Sequence, residues 1–484
     1  MVMTSCCLWM FIPAIAQQGV EFTTRTAPNS NIRSLNPVMP SAAIVTKVDI
    51  DNGGCVDPQL EKAMWKLVND NIDRLGIRKP ASALRTATQP SFIWPVQPKA
   101  GFVDPGYYTV QYLVDHNAGY NNQLQDYNCG TRTYDGSSFN HAGTDIILWP
   151  YAWRRMDEQV MEIVAAAPGI IVSKFDNNYD RKCLNNGQGV ANGFHVAHDD
   201  GSITWYWHMK TGSLNPKVVG DTVVAGEYLG TAGSSGSSSW PHVHFQVWNA
   251  SGGLIDPWDG SCNSMNPGNS WWQSQQAYNV PSVNRICTKK TAFSYYNCPT
   301  AEPQDERDTF YLGDTLAIWL YYRDLELNSV TNISLKNPSG QSPITFNFTS
   351  PWATSPTSYA AWYYLVDAWW TPGWWTFEAV YNGQTYTHQF YMTGGYAGMD
   401  EDSWKSLSVF PNPAVNEVTV SGISFSPGTI IQLIDPQGRI VKEHTLTENS
   451  TKAVMEISGT AAGMYLIKVK REGKETVRRL FISG

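Results

Sequence analysis

The stretch Trp240-Pro-His-Val-His-Phe-Gln-Val-Trp248 decides the fold of the region around it, because polar and apolar residues alternate along it. Successive side chains of a β-strand point to opposite faces of the sheet. His242, His244 and Gln246 therefore share one face, and the three apolar residues between and after them share the other. The alternation predicts a strand with a hydrophobic core on one side and a wall of polar side chains on the other.

Two further motifs place histidines next to strands. In His141-Ala-Gly-Thr-Asp145 the i, i+4 spacing would suit a helix, but Gly143 and the β-prone run 146–149 argue against one. We expect His141 on a loop and Asp145 at the start of a strand. In the segment 203–208, ITWYWH, an aromatic strand that we expect to be buried leads into a histidine.

Two imidazoles and one carboxylate, which these motifs can supply, are the nitrogen and oxygen donors that zinc accepts. Three protein ligands leave the fourth position of zinc open for water, as a catalytic site requires, whereas a structural site is closed by a fourth protein ligand. Each motif alone is weak, because an isolated His-x-His is more often part of a surface strand and His-x-x-x-Asp recurs by chance. The combination of the His-x-His and His-x-x-x-Asp motifs, each next to a predicted strand, predicts a catalytic zinc site.

The order of these motifs resembles the lysostaphin-type zinc metallopeptidases, the LasA/LytM family, over the range from about Trp94 to Trp272. The similarity includes the glycine-rich run GDTVVAGEYLGTAGSSG at 220–236, which in that family is the hairpin leading to the last ligand strand. The resemblance implies an antiparallel β-sheet peptidase domain, which we place at 91–280.

Carried over residue by residue, the resemblance implies zinc bound by His141, Asp145 and His244, with His208 and His242 as catalytic histidines that do not bind the metal. These two would orient the water, move its proton and donate to the developing oxyanion. Which of them is the base stays open at this stage. The family's substrates are peptide bonds in peptidoglycan, usually near glycine or in peptide cross-links.

The ligand strand departs from the family's usual Gly-Pro-His-Leu-His-Phe-Glu at Trp240, Val243 and Gln246. Val243 should pack like leucine, and the large ring of Trp240 beside the cleft bears on substrate preference more than on zinc binding. We interpret the other histidines of this region, His195 and His198, as structural.

The composition favours a mainly β, exported protein. The chain has 484 residues, with 34 Lys and Arg against 42 Asp and Glu, a net charge of 34 − 42 = −8. This balance argues against nucleic acid as a partner, because such proteins carry basic clusters. Only 16% of residues are charged, and 20 Trp, 24 Tyr, 39 Gly and 28 Pro indicate a β-rich, turn-rich fold.

Residues 1–16 are predicted to be a signal peptide, with a short apolar run and a small-x-small site at its end. No later segment is apolar for long enough to span a membrane as a helix. Removal of the signal peptide would leave six cysteines, and an even number favours disulfides in an oxidising compartment. The pairs that we predict are Cys287 with Cys298 and Cys129 with Cys183.

Residues 17–90 form an N-terminal arm or pro-region, loop-like over 17–56 and with one predicted helix at 57–76. Asp57 can cap this helix and Gly76 can end it. Its apolar stripe must be buried, and the stripe consists of Leu60, Met64, Leu67, Val68 and Leu75. Relatives in the family can carry N-terminal segments that cover the cleft and occupy the open zinc position. The alternative, a structural brace on the far side of the domain, is slightly favoured.

Residues 302–393 are predicted to form an immunoglobulin-like β-sandwich, because six or seven strand-like segments fall within them. The clearest signal is a hairpin around Asn382-Gly383. Five tryptophans between Trp362 and Trp375 permit either carbohydrate binding or packing, and packing is favoured because adjacent tryptophans on a strand point in opposite directions.

The last region, 404–484, has ten basic and seven acidic residues and is predicted to be a small β-sandwich. Its motifs Ser408-Val-Phe-Pro-Asn-Pro-Ala414 and Ala462-Gly-Met-Tyr-Leu-Ile-Lys468 resemble the type IX secretion (Por) C-terminal sorting domain. The resemblance implies the type IX secretion machinery as a partner. It also implies a secreted or cell-surface location, reached through the periplasm and without a membrane span in the mature chain.

We therefore expect an exported zinc metalloendopeptidase that acts on peptidoglycan. Two alternatives stay open. One is a family member without activity that binds cell wall or activates another hydrolase, and the other is a surface protease for glycine-rich proteins. The first is disfavoured because all five site positions are kept.

Overall fold

The structure, a computed structural model, describes these residues: 42–47, 58–78, 88–183, 189–266, 268–290, 302, 305–351, 353–396, 407–471 and 474–483. The predicted signal peptide 1–16 lies outside them. The chain divides into two compact units, Met1–Phe310 with Thr315–Met392 and Tyr311–Asp314 with Thr393–Gly484. The fold is mainly β, as predicted. No helix in the described ranges is long and apolar enough to cross a membrane.

The elements follow one another along the chain. Up to residue 289 they are β1 (Ala42–Lys47), α1 (Pro58–Arg74), β2 (Val96–Pro98), β3 (Tyr108–Tyr112), β4 (Thr144–Leu148), α2 (Ala152–Asp157), β5 (Met161–Val164), β6 (Gly169–Phe175), β7 (Gly193–Ala197), β8 (Ile203–Trp207), β9 (Thr222–Val223), β10 (Tyr228–Thr231), β11 (His242–Trp248), β12 (Leu254–Ile255) and β13 (Ser282–Lys289). The next strands are β14 (Thr309–Leu312), β15 (Thr315–Leu325), β16 (Val330–Lys336), β17 (Ile344–Thr349), β18 (Ser355–Leu365), β19 (Gly373–Tyr381) and β20 (Gln384–Tyr396).

An antiparallel sheet in the order β3-β4-β11-β8-β7-β6-β9, with β12 added beside β11, carries the predicted motifs. The apolar and polar side chains of β11 point to opposite faces of the sheet, as predicted. Val243, Phe245 and Val247 are fully buried in a core that also includes Ile163 and Leu229 of the smaller sheet β10-β5-β2. The polar side chains of β11 therefore lie on the opposite face of the large sheet.

Helix α1 confirms the predicted helix, although it spans Pro58–Arg74 rather than 57–76. Met64 and Val68 are buried, but Leu67 is 39% exposed. Leu67 follows Met64 by three residues and so lies about 60° around the helix from it, at the edge of the buried stripe. Met64 and Val68 pack with Trp205 of β8, and the far-side location favoured from sequence is therefore wrong, because Trp205 lies on the polar face of β11.

A two-sheet sandwich follows the peptidase region, in agreement with the immunoglobulin-like prediction. Its sheets are β14-β20-β19-β16-β17 and β1-β18-β15-β13. The hairpin turn falls at Asn382 and Gly383, both at positive φ, as the Asn-Gly signal predicts. The sandwich differs from the prediction in extent, because β13 precedes residue 302 and β1 comes from the arm expected to be loop-like.

The tryptophans of the sandwich follow the predicted alternation. Trp375 is 1% exposed, whereas its neighbour Trp374 on the same strand is 58% exposed. Trp362 and Trp370 are buried, and Trp369 is 42% exposed. Packing thus accounts for three of the five rings.

The second unit contains the strands β21 (Ser408–Phe410), β22 (Glu417–Phe425), β23 (Ile430–Ile434), β24 (Ile440–Thr445), β25 (Ser450–Glu456), β26 (Gly463–Arg471) and β27 (Lys474–Ile482). They form the sheets β21-β22-β25 and β24-β23-β26-β27, which share one apolar core. This is the small β-sandwich that the sequence predicts.

Both predicted disulfide pairings are wrong. Cys129 is bonded to Cys262, and Cys287 is a buried free thiol. Cys183 is disulfide-bonded as well, and Cys298 lies outside the described residues. Residue spacing favoured short loops, whereas the fold brings together two loops 133 residues apart in sequence.

Candidate metal centre

Strand register brings the predicted ligands together. His244 of β11 lies directly opposite Asp145 of β4, and the two residues therefore point to the same face of the sheet. His141 is on the loop before β4, as predicted, where its backbone N–H donates to the carbonyl of Tyr134. One donor atom from each of the three side chains lies within 4.8 Å of the others, and all three residues are buried.

Hydrogen bonds fix which nitrogen of each ring faces the centre. Nδ1 of His141 donates to the carbonyl of Leu113 at 2.7 Å, and Nε2 of His244 donates to Oε1 of Gln246 at 3.1 Å. The unprotonated atoms are then Nε2 of His141 and Nδ1 of His244, which are 3.3 Å apart. Gln246, one of the departures from the family pattern, supplies an acceptor for its neighbouring histidine.

The carboxylate of Asp145 completes the donor set. Its Oδ1 lies 2.8 Å from Nδ1 of His244, and its Oδ2 lies 3.3 Å from Nε2 of His141. Oδ2 is buried without a hydrogen-bond partner. Two ligands at about 2.0–2.1 Å from a tetrahedral ion would be separated by about 3.3–3.4 Å. A divalent cation therefore fits the two separations of 3.3 Å that involve Nε2 of His141, and it fits the orphaned Oδ2 of Asp145.

Charge at the site favours the ionised form of Asp145. Burial by itself would raise the pKa of this carboxyl. The neighbouring imidazoles of His141, His242 and His244 outweigh this effect and hold its pKa well below the ordinary value. The site is thus ready to accept a cation.

His208 and His242, the two predicted non-ligand histidines, lie side by side with ring centroids 4.4 Å apart. Nδ1 of His208 donates to the carbonyl of Ser235 at 2.7 Å, and Nδ1 of His242 donates to the carbonyl of Trp240 at 2.6 Å. Nε2 of His242 is 3.7 Å from Oδ1 of Asp145. Burial lowers the pKa of both rings, and each therefore presents an unprotonated Nε2 that can accept a proton.

His195 and His198 are held away from this cluster by partners at both nitrogens. In His195, Nδ1 lies 2.6 Å from Oγ of Ser173, and Nε2 accepts a hydrogen bond from Nε1 of Trp207. Burial lowers the pKa of His195 to about 3. His198 is bonded to the carbonyl of Pro168 and to Thr204. These contacts agree with the structural role predicted for both rings.

Three residues near the ligands were missed by sequence reasoning. Tyr134 stacks on His141 with centroids 4.3 Å apart, and Trp207 stacks on His244 at 5.8 Å. Glu61 of α1 interacts electrostatically with His244. Trp207 belongs to the aromatic segment 203–208, and the pairing of β8 with β11 could have shown that it lies near the ligands. No local sequence signal connects Glu61 with the site.

Trp240 is anchored beside the cleft rather than free within it. Its Nε1 donates to the carbonyl of Leu148 at 3.1 Å, and its ring lies 6.4 Å from that of Trp153. The ring is partly buried and also packs against the aromatic cluster of the sandwich sheet that contains Trp319.

Two protein-family models match this chain, one in the predicted peptidase region and one in the predicted sorting domain. Residues 141–257 match the sequence model of peptidase family M23, and residues 408–483 match that of the secretion system C-terminal sorting domain. Both resemblances seen in the motifs are therefore confirmed over these residues. The glycyl-glycine endopeptidase ALE-1 of Staphylococcus capitis is 30% identical over 133 residues, which are 27% of this chain and 31% of that protein. The chain thus spans about a third of the length of this curated relative.

Solved structures with similarity to this chain include two peptidase domains. The catalytic domain of lysostaphin from Staphylococcus simulans is 26% identical, covers 31% of this chain and 86% of its own, and has a TM-score of 0.18. The catalytic domain of the prophage-encoded M23 protein EnpA from Enterococcus faecalis is 23% identical. It covers 32% of this chain and 92% of its own, with a TM-score of 0.20.

Proposed function

We propose that this chain, which carries a peptidase family M23 domain and a secretion system sorting domain, is an exported zinc-dependent endopeptidase that hydrolyses peptide bonds of peptidoglycan. One observation carries the proposal. Loop and strand positions far apart in sequence bring His141, Asp145 and His244 into one donor set, and two further histidines lie beside it.

His141, Asp145 and His244 would hold the metal. When bound, zinc supplies Lewis-acid activation of a water nucleophile and of the scissile carbonyl. The oxygen and nitrogen donors suit zinc, and the two histidine orientations are fixed by Leu113 and Gln246. The sheet therefore presents a donor set that needs little rearrangement.

His208 and His242 would act on the attacking water without binding the metal. Both are neutral, and both have Nδ1 engaged with a backbone carbonyl, which leaves Nε2 to face the reacting groups. His242 shares the strand face of His244 and is close to Asp145, so we assign it to accept the proton of the attacking water. His208, which also presents an acceptor Nε2, would then help to orient that water by accepting a hydrogen bond from it.

The proposed substrate is a peptide segment that contains glycine. The relative from Staphylococcus capitis is by its name a glycyl-glycine endopeptidase, and it is 30% identical to this chain over 133 residues. Peptidoglycan cross-links are the extracellular polymer in which such bonds would be met after export. The sorting domain supports passage through the type IX machinery to the cell surface or the medium.

The test is whether the zinc-loaded full chain hydrolyses three probes: purified sacculi, an oligoglycine peptide and a glycine-rich protein. It should be run with the intact chain and with a chain that is cut at a protease site introduced into 79–87. The cut separates the N-terminal arm from the peptidase region, because such arms can cover the cleft in relatives. Release of new amino termini from sacculi, lost in Asp145→Asn, is the expected result. Binding to sacculi without cleavage would favour the non-enzymatic alternative. Cleavage only of the third probe, a glycine-rich protein such as elastin, would favour the surface protease.

A further inference from the structure

An exposed aromatic pair lies on the five-stranded sheet of the sandwich, β14-β20-β19-β16-β17. Trp374 of β19 is directly opposite Tyr391 of β20, and their ring centroids are 5.3 Å apart. Trp374 is 58% exposed, whereas its strand neighbour Trp375 is buried in the core. Core packing therefore accounts for Trp375 but not for the pair, which lies on the solvent side of the sheet.

The sheet face around this pair is polar, and we call it the platform. Strand register shows which side chains share the face of Trp374. Most of them are hydroxyl and amide groups, and the main ones are Ser334, Thr376, Thr387, Asn332, Asn347 and Gln389. Lys336 and Glu378 belong to the same face, where they form an ion pair with each other. The platform thus combines two aromatic rings with a field of neutral hydrogen-bonding groups.

The backbone that carries Trp374 is firmly held from behind. The ring of Trp375 packs on that of Trp370 with centroids 4.8 Å apart, and its Nε1 donates to the carbonyl of Thr371 at 2.8 Å. Trp369, in the turn before β19, is 42% exposed and lies 6.1 Å from the ring of Trp375. The exposed rings therefore belong to a packed end of the sandwich, and a ligand that binds there meets a surface that needs little ordering.

The composition of the platform selects a carbohydrate as its ligand. The C–H bonds on the face of a sugar ring carry partial positive charge and pack against the negative face of an aromatic ring. Sugar hydroxyls both donate and accept hydrogen bonds, as do the hydroxyl and amide side chains of the platform. The core of a protein interface is instead depleted in Lys, Glu and Ser. Nucleic acid requires basic charge, but the charge of Lys336 is balanced by Glu378.

The sandwich is joined to the peptidase region through its other sheet, β1-β18-β15-β13. Arg132 forms an ion pair at 2.8 Å with Asp324 of β15, and these side chains are 8% and 1% exposed. Nε1 of Trp149 donates to the carbonyl of Tyr322 at 2.9 Å, also in β15. The platform is on the opposite sheet and so faces away from the peptidase region. A polymer can therefore be bound at the platform while another part of it reaches the metal centre.

We propose that the platform is a polysaccharide-binding site, with Trp374 and Tyr391 as its stacking rings, and that its ligand is the glycan strand of peptidoglycan. Binding there raises the effective concentration of peptide bonds at the metal centre without a new contact in the cleft. The choice of peptidoglycan among polysaccharides rests on the proposed function. The choice of a carbohydrate rests on the sheet face alone.

The first experiment measures binding by calorimetry, with the full-length chain and glycan strands that an amidase has freed of peptide. Trp374→Ala should weaken binding at least about tenfold, because a stacking ring is lost. Trp374→Phe keeps a smaller ring and should lose less. The matched control is Leu365→Ala, which removes a side chain that is 61% exposed on the other sheet and should bind like the parent.

The second experiment measures hydrolysis by the same zinc-loaded, full-length variants. On sacculi, Trp374→Ala should raise KM at least about tenfold and leave kcat unchanged, because the platform contributes binding that is equal in the ground state and the transition state. On an oligoglycine peptide, which has no sugar, kcat/KM should equal that of the parent. A fall of kcat on oligoglycine would show that Trp374 acts through the peptidase region and would contradict a separate glycan site.

Two binding results would overturn the proposal. One is equal affinity of the parent and Trp374→Ala for glycan strands, and the other is tighter binding of the parent to cello-oligosaccharides, which lack amino sugars, than to glycan strands. Because Trp374→Phe is a conservative change at an exposed position, it decides the first point even if Trp374→Ala fails to fold. If binding changes as expected but the parent cleaves neither sacculi nor oligoglycine, the glycan site stands and the proposed function fails.

Discussion

Nδ1 of His244 lies 2.8 Å from Oδ1 of Asp145, because the two residues are directly opposed in the register of β11 and β4. The other nitrogen of the same ring donates to Gln246. The two facing atoms are therefore both acceptors, and they require a cation between or beside them. The strand pairing itself brings together two of the three proposed zinc ligands.

Loss of either member of this pair should abolish metal binding. The parent chain should hold about one zinc, whereas His244→Ala and Asp145→Ala should hold almost none, because two remaining ligands bind zinc weakly. His208→Ala is the control. It should keep its zinc and lose turnover, since a group that acts only on the transition state lowers kcat without changing the ligand set. Zinc content and kcat, measured for each variant, test this prediction. Loss of zinc from His208→Ala would refute this division of roles.

Gln246 should tune the metal affinity through His244. Gln246→Leu removes the acceptor for Nε2 of His244, and the affinity for zinc should fall about 10–100-fold, as is usual when the partner of a ligand histidine is lost. Gln246→Glu keeps an acceptor at the same place and should retain the affinity. Competition with a chromogenic chelator measures both. Equal affinities in the leucine and glutamate variants would show that the hydrogen bond has no effect.

His195 should make the peptidase sheet sensitive to acid. Burial lowers the pKa of its ring to about 3, whereas in the unfolded chain it takes up a proton near pH 6.5. Its contribution is therefore fully present above pH 6.5 and is lost as the pH falls, by about 2 kcal/mol between pH 6.5 and pH 5.

The pH dependence of denaturant unfolding in the first unit tests this sign. His195→Gln keeps groups that can bond to Ser173 and Trp207, and it should show a shallower loss of stability between pH 6.5 and 5 than the parent. His444→Gln, at an exposed position of the second unit, serves as the control and should leave the slope unchanged. A parent-like slope in His195→Gln would assign the acid sensitivity to other groups.

The second unit should be dispensable for catalysis and required for export. It has its own core, so deletion from residue 404 onward should leave the first unit folded and its kcat/KM unchanged. We expect the truncated protein to accumulate in the periplasm. Cell fractionation with immunodetection measures the distribution. Normal amounts of the truncated form in the medium would contradict the role assigned to the sorting domain.

The sequence by itself determined those features that depend on local periodicity. The alternation in Trp240–Trp248 fixed which side chains of β11 share a face, and Asn382-Gly383 fixed a hairpin, because both signals lie within a few consecutive residues. The motif from His141 to Asp145 likewise placed a loop before a strand. The ligand set itself came from the resemblance to a known family.

Only the tertiary structure decided which surfaces meet. The stripe of α1 could be seen in the sequence, but several apolar surfaces of similar character could have buried it, and the contact of Trp65 with Trp205 selects the face of the site. Tertiary packing, and not the local sequence, likewise decided the pairing of Cys129 with Cys262 and that of β1 with β18. Periodicity specifies which side of an element is buried, whereas the partner is set by packing among segments far apart in the chain.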